Sequence, residues 1–63
     1  MIKLNGEEKP CRETLGVLLV EHHYQAGRIA VLVNGEIIKK DLWASYTLKP
    51  DDAIDVVSFV GGG

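Results

Sequence analysis

Two Asn-Gly dipeptides constrain the fold of this chain more than any other feature of its sequence. Asn-Gly tolerates positive φ at both central positions of a two-residue turn, so it is typical of a tight β-hairpin. The first, Asn5-Gly6, separates the alternating segment at residues 1–4 from a second short strand at about residues 8–12. Pro10 restricts this second strand to an edge of the sheet, because proline cannot donate to a ladder hydrogen bond.

The second dipeptide, Asn34-Gly35, follows a continuous apolar and β-branched run at residues 29–33, which predicts an interior strand covered on at least one face. Residues 36–38 complete this second hairpin. A turn is predicted at residues 50–52, because proline presets φ and aspartate bonds to nearby backbone. Residues 53–60 predict a last strand. Its side chains are expected to alternate, with Ile54 and Val56 on one face and Val57 and Phe59 on the other.

One helix is predicted between the two hairpins, at about residues 15–25. Thr14 is suited to cap its first turn, since a side-chain hydroxyl can accept a hydrogen bond from a free backbone N–H. Gly27 is expected to end the helix in the left-handed conformation. The side chains that follow the i, i+3, i+4, i+7 spacing, and so share one helix face, are Leu15, Leu18, Leu19 and His22.

These elements predict an α+β fold, with a mixed sheet of four to five strands and one main helix packed on one face. If the first and last strands are parallel neighbours in the middle, the crossover between them should be right-handed, and the architecture is that of β-grasp, or ubiquitin-like, proteins. Residues 39–50 show no clear period, and we expect an irregular connection that Trp43 anchors by packing. Residues 1–63 are expected to form a single domain with a flexible tail at residues 61–63.

Composition argues against several classes of function. The longest apolar run, residues 15–20, is too short to span a membrane, and no basic start with an apolar region marks a signal peptide. The formal charge is −2 and the 7 basic residues are scattered, which argues against a nucleic-acid partner. The single cysteine, Cys11, cannot form an internal disulfide, and we expect a cytoplasmic protein whose fold depends on packing.

No pattern of reactive residues predicts an enzyme active site or a metal site. Cys11 has only one cation beside it in the sequence, so a structural cysteine is favoured over a persulfide carrier. His22 and His23 are adjacent on the predicted helix and point about 100° apart, so they cannot easily bind one ion. A solvent-facing role or a role at the C-terminal end of the helix, where the dipole attracts cations, is favoured for them. The pairs Glu7-Glu8 and Asp51-Asp52 are predicted to be solvated turns.

The chain ends unusually for a folded domain, with the apolar pair Phe59-Val60 followed by three glycines. Glycine loses more conformational entropy on folding than any other residue and has no side chain to bury. Solvated tails usually carry Ser, Lys or Glu, and this one has none of them. From the residues alone, a frayed terminus and a functional segment both stay open.

Together these segments resemble a known family, the small sulfur carrier proteins of thiamine thiazole biosynthesis called ThiS. The terminal glycines are shared with ubiquitin and with the small subunit of molybdopterin synthase, whereas the Val-Asn-Gly-Glu-Ile segment, Trp43 and the short length favour ThiS. One departure is Asp51, where the family's turn glycine is expected; aspartate adopts the left-handed conformation at modest cost. The matching segments cover nearly the whole chain: residues 2–6, residues 33–38, Trp43, Leu48 with the acidic turn, and residues 59–63.

The resemblance implies that the working group is the C-terminal carboxylate of Gly63. In such carriers a ThiF-like adenylating enzyme uses ATP to form an acyl-adenylate, and sulfur from a sulfur donor enzyme displaces AMP to leave a thiocarboxylate. A ThiG-like thiazole synthase consumes that sulfur. Gly61 and Gly62 are expected to thread a narrow channel of the partner, and Phe59 and Val60 to belong to a partner-facing apolar patch. The carrier itself is then no enzyme, and it binds no cofactor or metal.

Several alternatives stay open at this stage. The chain could carry sulfur for another pathway, in the manner of the molybdopterin synthase small subunit. It could instead be a ubiquitin-like modifier whose tail forms an isopeptide bond with a lysine, or a β-grasp binding module whose tail has no chemistry. For Phe59 and Val57, packing in the core or sheet is open beside a role at an interface.

Overall fold

The computed structural model describes residues 1–58 of the chain. Those residues form five strands, one α-helix and two short 3₁₀ helices. In chain order the elements are β1 (Ile2–Leu4), β2 (Glu7–Lys9), α1 (Leu15–Glu21), a first 3₁₀ helix (Ala26–Arg28), β3 (Ile29–Val33), β4 (Glu36–Ile38), a second 3₁₀ helix (Lys40–Ser45) and β5 (Ala53–Ser58). The last strand begins as predicted, and its predicted positions 59 and 60 lie outside the described residues.

The five strands form one mixed sheet in the order β2-β1-β5-β3-β4. β5 lies in the centre, parallel to β1 and antiparallel to β3, and the two outer pairs are antiparallel hairpins. The parallel pairing of the first and last strands confirms the predicted β-grasp architecture. β2 lies at an edge of the sheet, as Pro10 indicates, but the predicted strand was too long. The observed strand β2 ends at Lys9, because Pro10 has no N–H with which to continue the ladder.

Both Asn-Gly dipeptides form the predicted hairpin turns. The φ angle is +51° at Asn5 and +84° at Gly6, and it is +52° at Asn34 and +86° at Gly35. Positive φ at both central positions is typical of the type I′ turn, whose twist matches that of the paired strands. The acidic turn forms as well. Asp51 has a φ of +73°, so aspartate takes the left-handed conformation in the place where glycine was expected.

Helix α1 covers one face of the sheet and buries the apolar side chains between the two layers. Leu15, Leu18 and Leu19 share one side of the helix, and alternate residues of the strands pack against them. Trp43 joins this core at 7% exposure and donates its indole N–H to the carbonyl oxygen of Ile38 at 2.9 Å. The core consists of Ile2, Leu4, Leu15, Leu18, Leu19, Ile29, Val31, Val33, Trp43, Leu48 and Ile54.

The connection between β4 and β5 is more ordered than predicted. Trp43 anchors it as expected, but it does so from the second 3₁₀ helix rather than from irregular chain. A 3₁₀ helix has three residues per turn and is short, so neither the helical nor the strand period detects it. Helix α1 lies close to this segment, since a Cβ on Gly16 would meet the Cα of Ala44 at 3.3 Å. Gly16 therefore permits a close approach of two backbones.

Helix α1 begins as predicted but ends earlier. The hydroxyl of Thr14 accepts a hydrogen bond from the N–H of Val17 at 3.3 Å, which is the predicted cap. The predicted end at Gln25 and the predicted stop at Gly27 are wrong. The helix ends at Glu21, and Gly27 lies in the first 3₁₀ helix.

The left-handed residue that ends α1 is His23, with a φ of +64°. Its N–H donates to the carbonyl oxygen of Val20 at 3.0 Å, and the N–H of Tyr24 donates to that of Leu19 at 3.0 Å. These two bonds form the Schellman motif, in which the left-handed position is usually glycine. Histidine adopts this conformation more readily than bulky or β-branched residues do. The left-handed position that ends the helix is therefore His23, four residues before Gly27.

Replacing His23 with glycine should stabilise the protein by about 0.5–1 kcal/mol, since glycine removes the left-handed strain and loses slightly more chain entropy. The free energy of unfolding is measured by urea titration. His22→Gly is the matched control, because His22 has a φ of −94° and gains nothing from glycine. If His23→Gly loses as much stability as the control, the strain assigned to His23 is wrong.

Candidate functional site

The predicted site residues follow the end of β5 and lie outside the described residues. Gly61, Gly62 and Gly63 form the predicted carrier segment, and Phe59 and Val60 are the predicted partner contacts. The structure describes the strand that leads to all five. β5 and its neighbours are therefore the part of the candidate site that lies within the described residues.

β5, the strand that leads to the predicted site residues, is paired within the sheet. β3 pairs with β5 as far as Ser58, which lies opposite Ile29, while β1 pairs with the beginning of β5, where Leu4 lies opposite Ile54. Strand pairing therefore flanks β5 on both sides in its first half, whereas its second half pairs with β3 alone. Because β5 is the central strand of the sheet, Ser58 does not lie on an edge strand.

The face of the sheet that α1 leaves uncovered carries an apolar patch. Along β3, buried residues alternate with half-buried ones, and the half-buried side chains point away from the helix. On the neighbouring strands, Ile37 is 72% exposed and Val57 is 51% exposed. The members of this surface, which we name the open-face patch, are Ala30, Leu32, Ile37 and Val57.

The register of the sheet brings the members of the open-face patch together. Leu32 lies opposite Ile37 of β4, and Ala30 lies opposite Val57 of β5. Directly opposite side chains on one face are neighbours, so the four residues form a continuous surface. Asp55, also opposite Leu32, adds one carboxylate to it. Val57 is thus exposed on the sheet and does not belong to the core, and a role at an interface stays a prediction.

Sequence reasoning missed Ala30, Leu32 and Ile37 as surface residues. The run at residues 29–33 is apolar at every position, so it shows no alternation between an inner and an outer face. The available signal was the Asn34-Gly35 turn, because a two-residue turn fixes the register and sets Ile37 opposite Leu32. The register of β3 against β4, together with the position of β4 at the edge of the sheet, would have identified the open-face patch.

A second apolar surface lies on the outer side of α1. Val17 is 50% exposed and Val20 is 75% exposed. Beside them runs a groove whose lining includes Gly16 and, from the second 3₁₀ helix, Ala44. This surface faces away from the sheet, so it lies on the opposite side of the molecule from the open-face patch.

Residues with reactive side chains are dispersed over residues 1–58. In this range no three side chains of His, Cys, Asp or Glu are grouped so that they could hold a metal ion. Cys11 is free and half-buried, with its Sγ 3.6 Å from the carbonyl oxygen of Arg12. His22 is the C-cap of α1, and His23 occupies the left-handed position after it. The described helices are all too short to form an apolar span across a membrane.

One ion pair connects the loop before α1 to the helix. The Nε of Arg12 donates to Oε1 of Glu21 at 2.7 Å, and a second guanidinium nitrogen donates to Oε2. Hydrogen bonding to Arg12 holds the pKa of the Glu21 carboxyl below its ordinary value, and the same bond raises the pKa of Arg12. Each charge is satisfied by the other in a solvent-exposed setting, so the pair is a surface link and not a catalytic group.

The chain is similar to sulfur carrier proteins along its length. The sequence model of the ThiS family matches residues 2–63. The chain is 33% identical to the sulfur carrier protein ThiS of Bacillus subtilis over 66 aligned positions, covering 100% of both chains. It is also 34% identical over 62 positions to a thiazole synthase of Paramagnetospirillum magneticum. That alignment covers 95% of this chain and 19% of the thiazole synthase.

A solved structure has the same fold. The crystal structure of the thiamine biosynthesis protein ThiS from Geobacter metallireducens matches this chain with a TM-score of 0.79 at 28% sequence identity. The match covers 98% of this chain and 97% of that protein. The similarity therefore extends over the mixed sheet and its single main helix.

Proposed function

This chain belongs to the ThiS family of sulfur carriers of thiamine biosynthesis, and from that premise we propose that it carries sulfur on the C-terminal carboxylate of Gly63. A ThiF-like activating enzyme uses ATP to adenylylate this carboxylate. Sulfur from a donor enzyme then replaces AMP, and the resulting thiocarboxylate delivers its sulfur to a thiazole synthase. The protein is a carrier and not a catalyst.

The activation step is needed because a carboxylate is a poor electrophile. A carboxylate oxygen of Gly63 attacks the α-phosphorus of ATP, and pyrophosphate leaves to give a mixed anhydride with AMP. A sulfide-level sulfur nucleophile adds to the acyl carbon, and the AMP oxygen leaves with the bonding electron pair. The leaving group is then a phosphate ester in place of oxide. The carrier contributes the position of the acyl carbon, and its partners contribute the catalysis.

The observation that carries the proposal is the extent of the family match, which reaches residue 63 and so includes the three glycines. Glycine has no Cβ, so the segment suits a narrow channel whose walls lie close to the backbone. Three extended residues reach roughly 10 Å, which is enough to carry Gly63 from the sheet into a buried partner site. Gly61 and Gly62 serve as the part that threads this channel.

The open-face patch supports the docking of the activating enzyme. Exposed apolar residues that form one surface are typical of protein interaction sites. Val57, a member of the patch, lies on the strand from which the tail starts and only four residues before Gly61. An enzyme that seats on this patch therefore also meets the tail. Phe59 and Val60, between the patch and the glycines, extend the same contact.

The similarity to a thiazole synthase supports such an enzyme as the second partner. The protein of Paramagnetospirillum magneticum is a thiazole synthase, and a segment similar to this chain accounts for 19% of its length. When a carrier-like segment and a synthase are parts of one chain, each is present at a high effective concentration near the other, which suits two proteins that act together. We therefore propose a ThiG-like synthase as the acceptor of the sulfur.

Incubation with the activating enzyme, ATP and a sulfur donor should increase the intact mass by the difference between one sulfur and one oxygen atom. Intact mass spectrometry measures this, and fragmentation should assign the change to Gly63. Omission of ATP is the control, because no leaving group then forms. A chain that stays unmodified with all components present would count heavily against the proposal, and much larger adducts would indicate a protein modifier.

Appending one residue after Gly63 should abolish ATP–pyrophosphate exchange, because the carbonyl of Gly63 then lies in a peptide bond. Gly62→Val keeps the free carboxylate and should also block exchange, since its β-branched side chain obstructs a narrow channel. Circular dichroism should show normal folding for both variants. Full exchange by the extended chain would show that the terminus is not the site.

Ile37→Lys should raise the KM of the activating enzyme for the carrier about ten-fold, since it places an unpaired charge in an apolar contact. Val20→Lys is the matched control, because Val20 is equally exposed but lies on the outer side of α1. Both positions are on the surface, so each free energy of unfolding should change by less than about 0.5 kcal/mol. Equal KM values for the two variants would exclude the open-face patch as the docking surface.

A further inference from the structure

Asn5 forms the first hairpin turn, and its side chain also bonds to the central strand. Its backbone N–H donates to the carbonyl oxygen of Ile54 at 2.8 Å, which continues the parallel ladder between β1 and β5. Its side-chain Oδ1 accepts a hydrogen bond from the backbone N–H of Val56, also at 2.8 Å. In a regular parallel ladder, such an N–H bonds to a backbone carbonyl of the neighbouring strand. The amide of Asn5 therefore supplies one more ladder bond where the chain turns toward β2.

This extra bond falls on the half of β5 that leads to the tail. On one side, β3 continues beside this half, with Ala30 opposite Val57 and Ile29 opposite Ser58. On the other side, the paired residues of β1 reach only as far as Ile54. The Asn5 side chain thus restrains β5 from the β1 side, at a point two residues before Ser58.

A second hydrogen bond fixes the orientation of the Asn5 amide. Its Nδ2 donates to the hydroxyl of Tyr24 at 3.1 Å, so the oxygen is the atom available to Val56. Tyr24 follows the left-handed turn at the end of α1, where its N–H bonds to Leu19, and it packs against the core. The position of Asn5 is therefore set by the helix as well as by the sheet.

The second Asn-Gly turn contains a matched asparagine. Oδ1 of Asn34 accepts a hydrogen bond from the N–H of Ala53 at 2.9 Å, and its Nδ2 donates to Asp52 at 3.0 Å. Asn5 and Asn34 have nearly the same φ and each bonds to a backbone N–H of β5. They differ in which end of the strand they restrain. Asn34 bonds to the first residue of β5, whereas Asn5 bonds to its second half.

We infer that Asn5 is a positioning residue for the transfer chemistry, because its amide sets the direction in which β5 presents the glycine tail to the activating enzyme. The inference rests on the proposed function, since it concerns the presentation of Gly63. A strand end that is restrained from both sides starts the tail in one direction. Less conformational freedom is then lost when the partner binds, and binding is tighter.

The test compares Asn5→Gly with Asn34→Gly. Glycine adopts positive φ without strain, so each variant keeps its turn and loses only the side-chain hydrogen bonds. The ¹⁵N order parameter of Ser58 should fall in Asn5→Gly from about 0.85 toward about 0.6. In ATP–pyrophosphate exchange, the KM for this variant should rise about five-fold with kcat unchanged. Asn34→Gly should leave the order parameter and the KM close to those of the wild-type protein.

Asn5→Asp is the conservative variant, because its carboxylate can accept hydrogen bonds from both the Val56 N–H and the Tyr24 hydroxyl. It should restore the wild-type KM and Ser58 order parameter. Equal effects of Asn5→Gly and Asn34→Gly would overturn the inference, since both asparagines would then act through general stability. If Asn5→Gly does not fold, Tyr24→Phe replaces it, and an unchanged Ser58 order parameter and KM in that variant would overturn the inference as well.

Failure of the proposed function gives a different result. The wild-type carrier would then support no pyrophosphate exchange with the activating enzyme. The order parameter of Ser58 still tests the role of Asn5 in that case, because it is measured without a partner. A decrease confined to Asn5→Gly supports the restraint on β5, and equal values in the two glycine variants refute it.

Discussion

The pairing of β5 between β1 and β3 is the constraint on which the rest of this structure depends. In the described residues, the two hairpins do not pair with each other and are connected within the sheet through β5. Ile54 of β5 is fully buried and packs in the core with the leucines of α1. The same strand leads directly to the segment in which the family resemblance locates the chemistry. The stability of the sheet and the proposed presentation of the tail therefore both depend on the hydrogen bonds of β5.

The open-face patch follows from the small size of the domain. A helix of 7 residues covers one face of the five-stranded sheet, and the opposite face of β3 and β5 stays accessible. Small domains bury a smaller fraction of their surface than large ones, so an uncovered apolar face is difficult to avoid. In the proposed function, successive enzymes recognise the carrier, and we expect such a face to serve as their contact surface.

Much of the fold could be predicted because its strongest signals are local. The two Asn-Gly turns and the Thr14 cap each specify their own backbone conformation. The end of α1 could not be predicted, since His23 takes a left-handed conformation that sequence rules assign first to glycine. The patch was missed because burial on one face depends on where the helix packs, which is a tertiary property. The chemistry proposed for Gly63 came from the family resemblance, because glycine has no side chain whose pattern could indicate it.

The central position of β5 also determines when the chain can complete its fold during synthesis. The Asn5 side chain and the Val56 N–H are separated by 51 positions, so a long loop must close before this contact forms. A nascent chain can form its two hairpins and begin α1 early, but the sheet stays divided until β5 leaves the ribosome. Folding is therefore completed only when the strand that bears the tail has been made. We expect a chain interrupted before β5 to stay unfolded and open to proteolysis, so that it would not compete as an inactive carrier for the proposed activating enzyme.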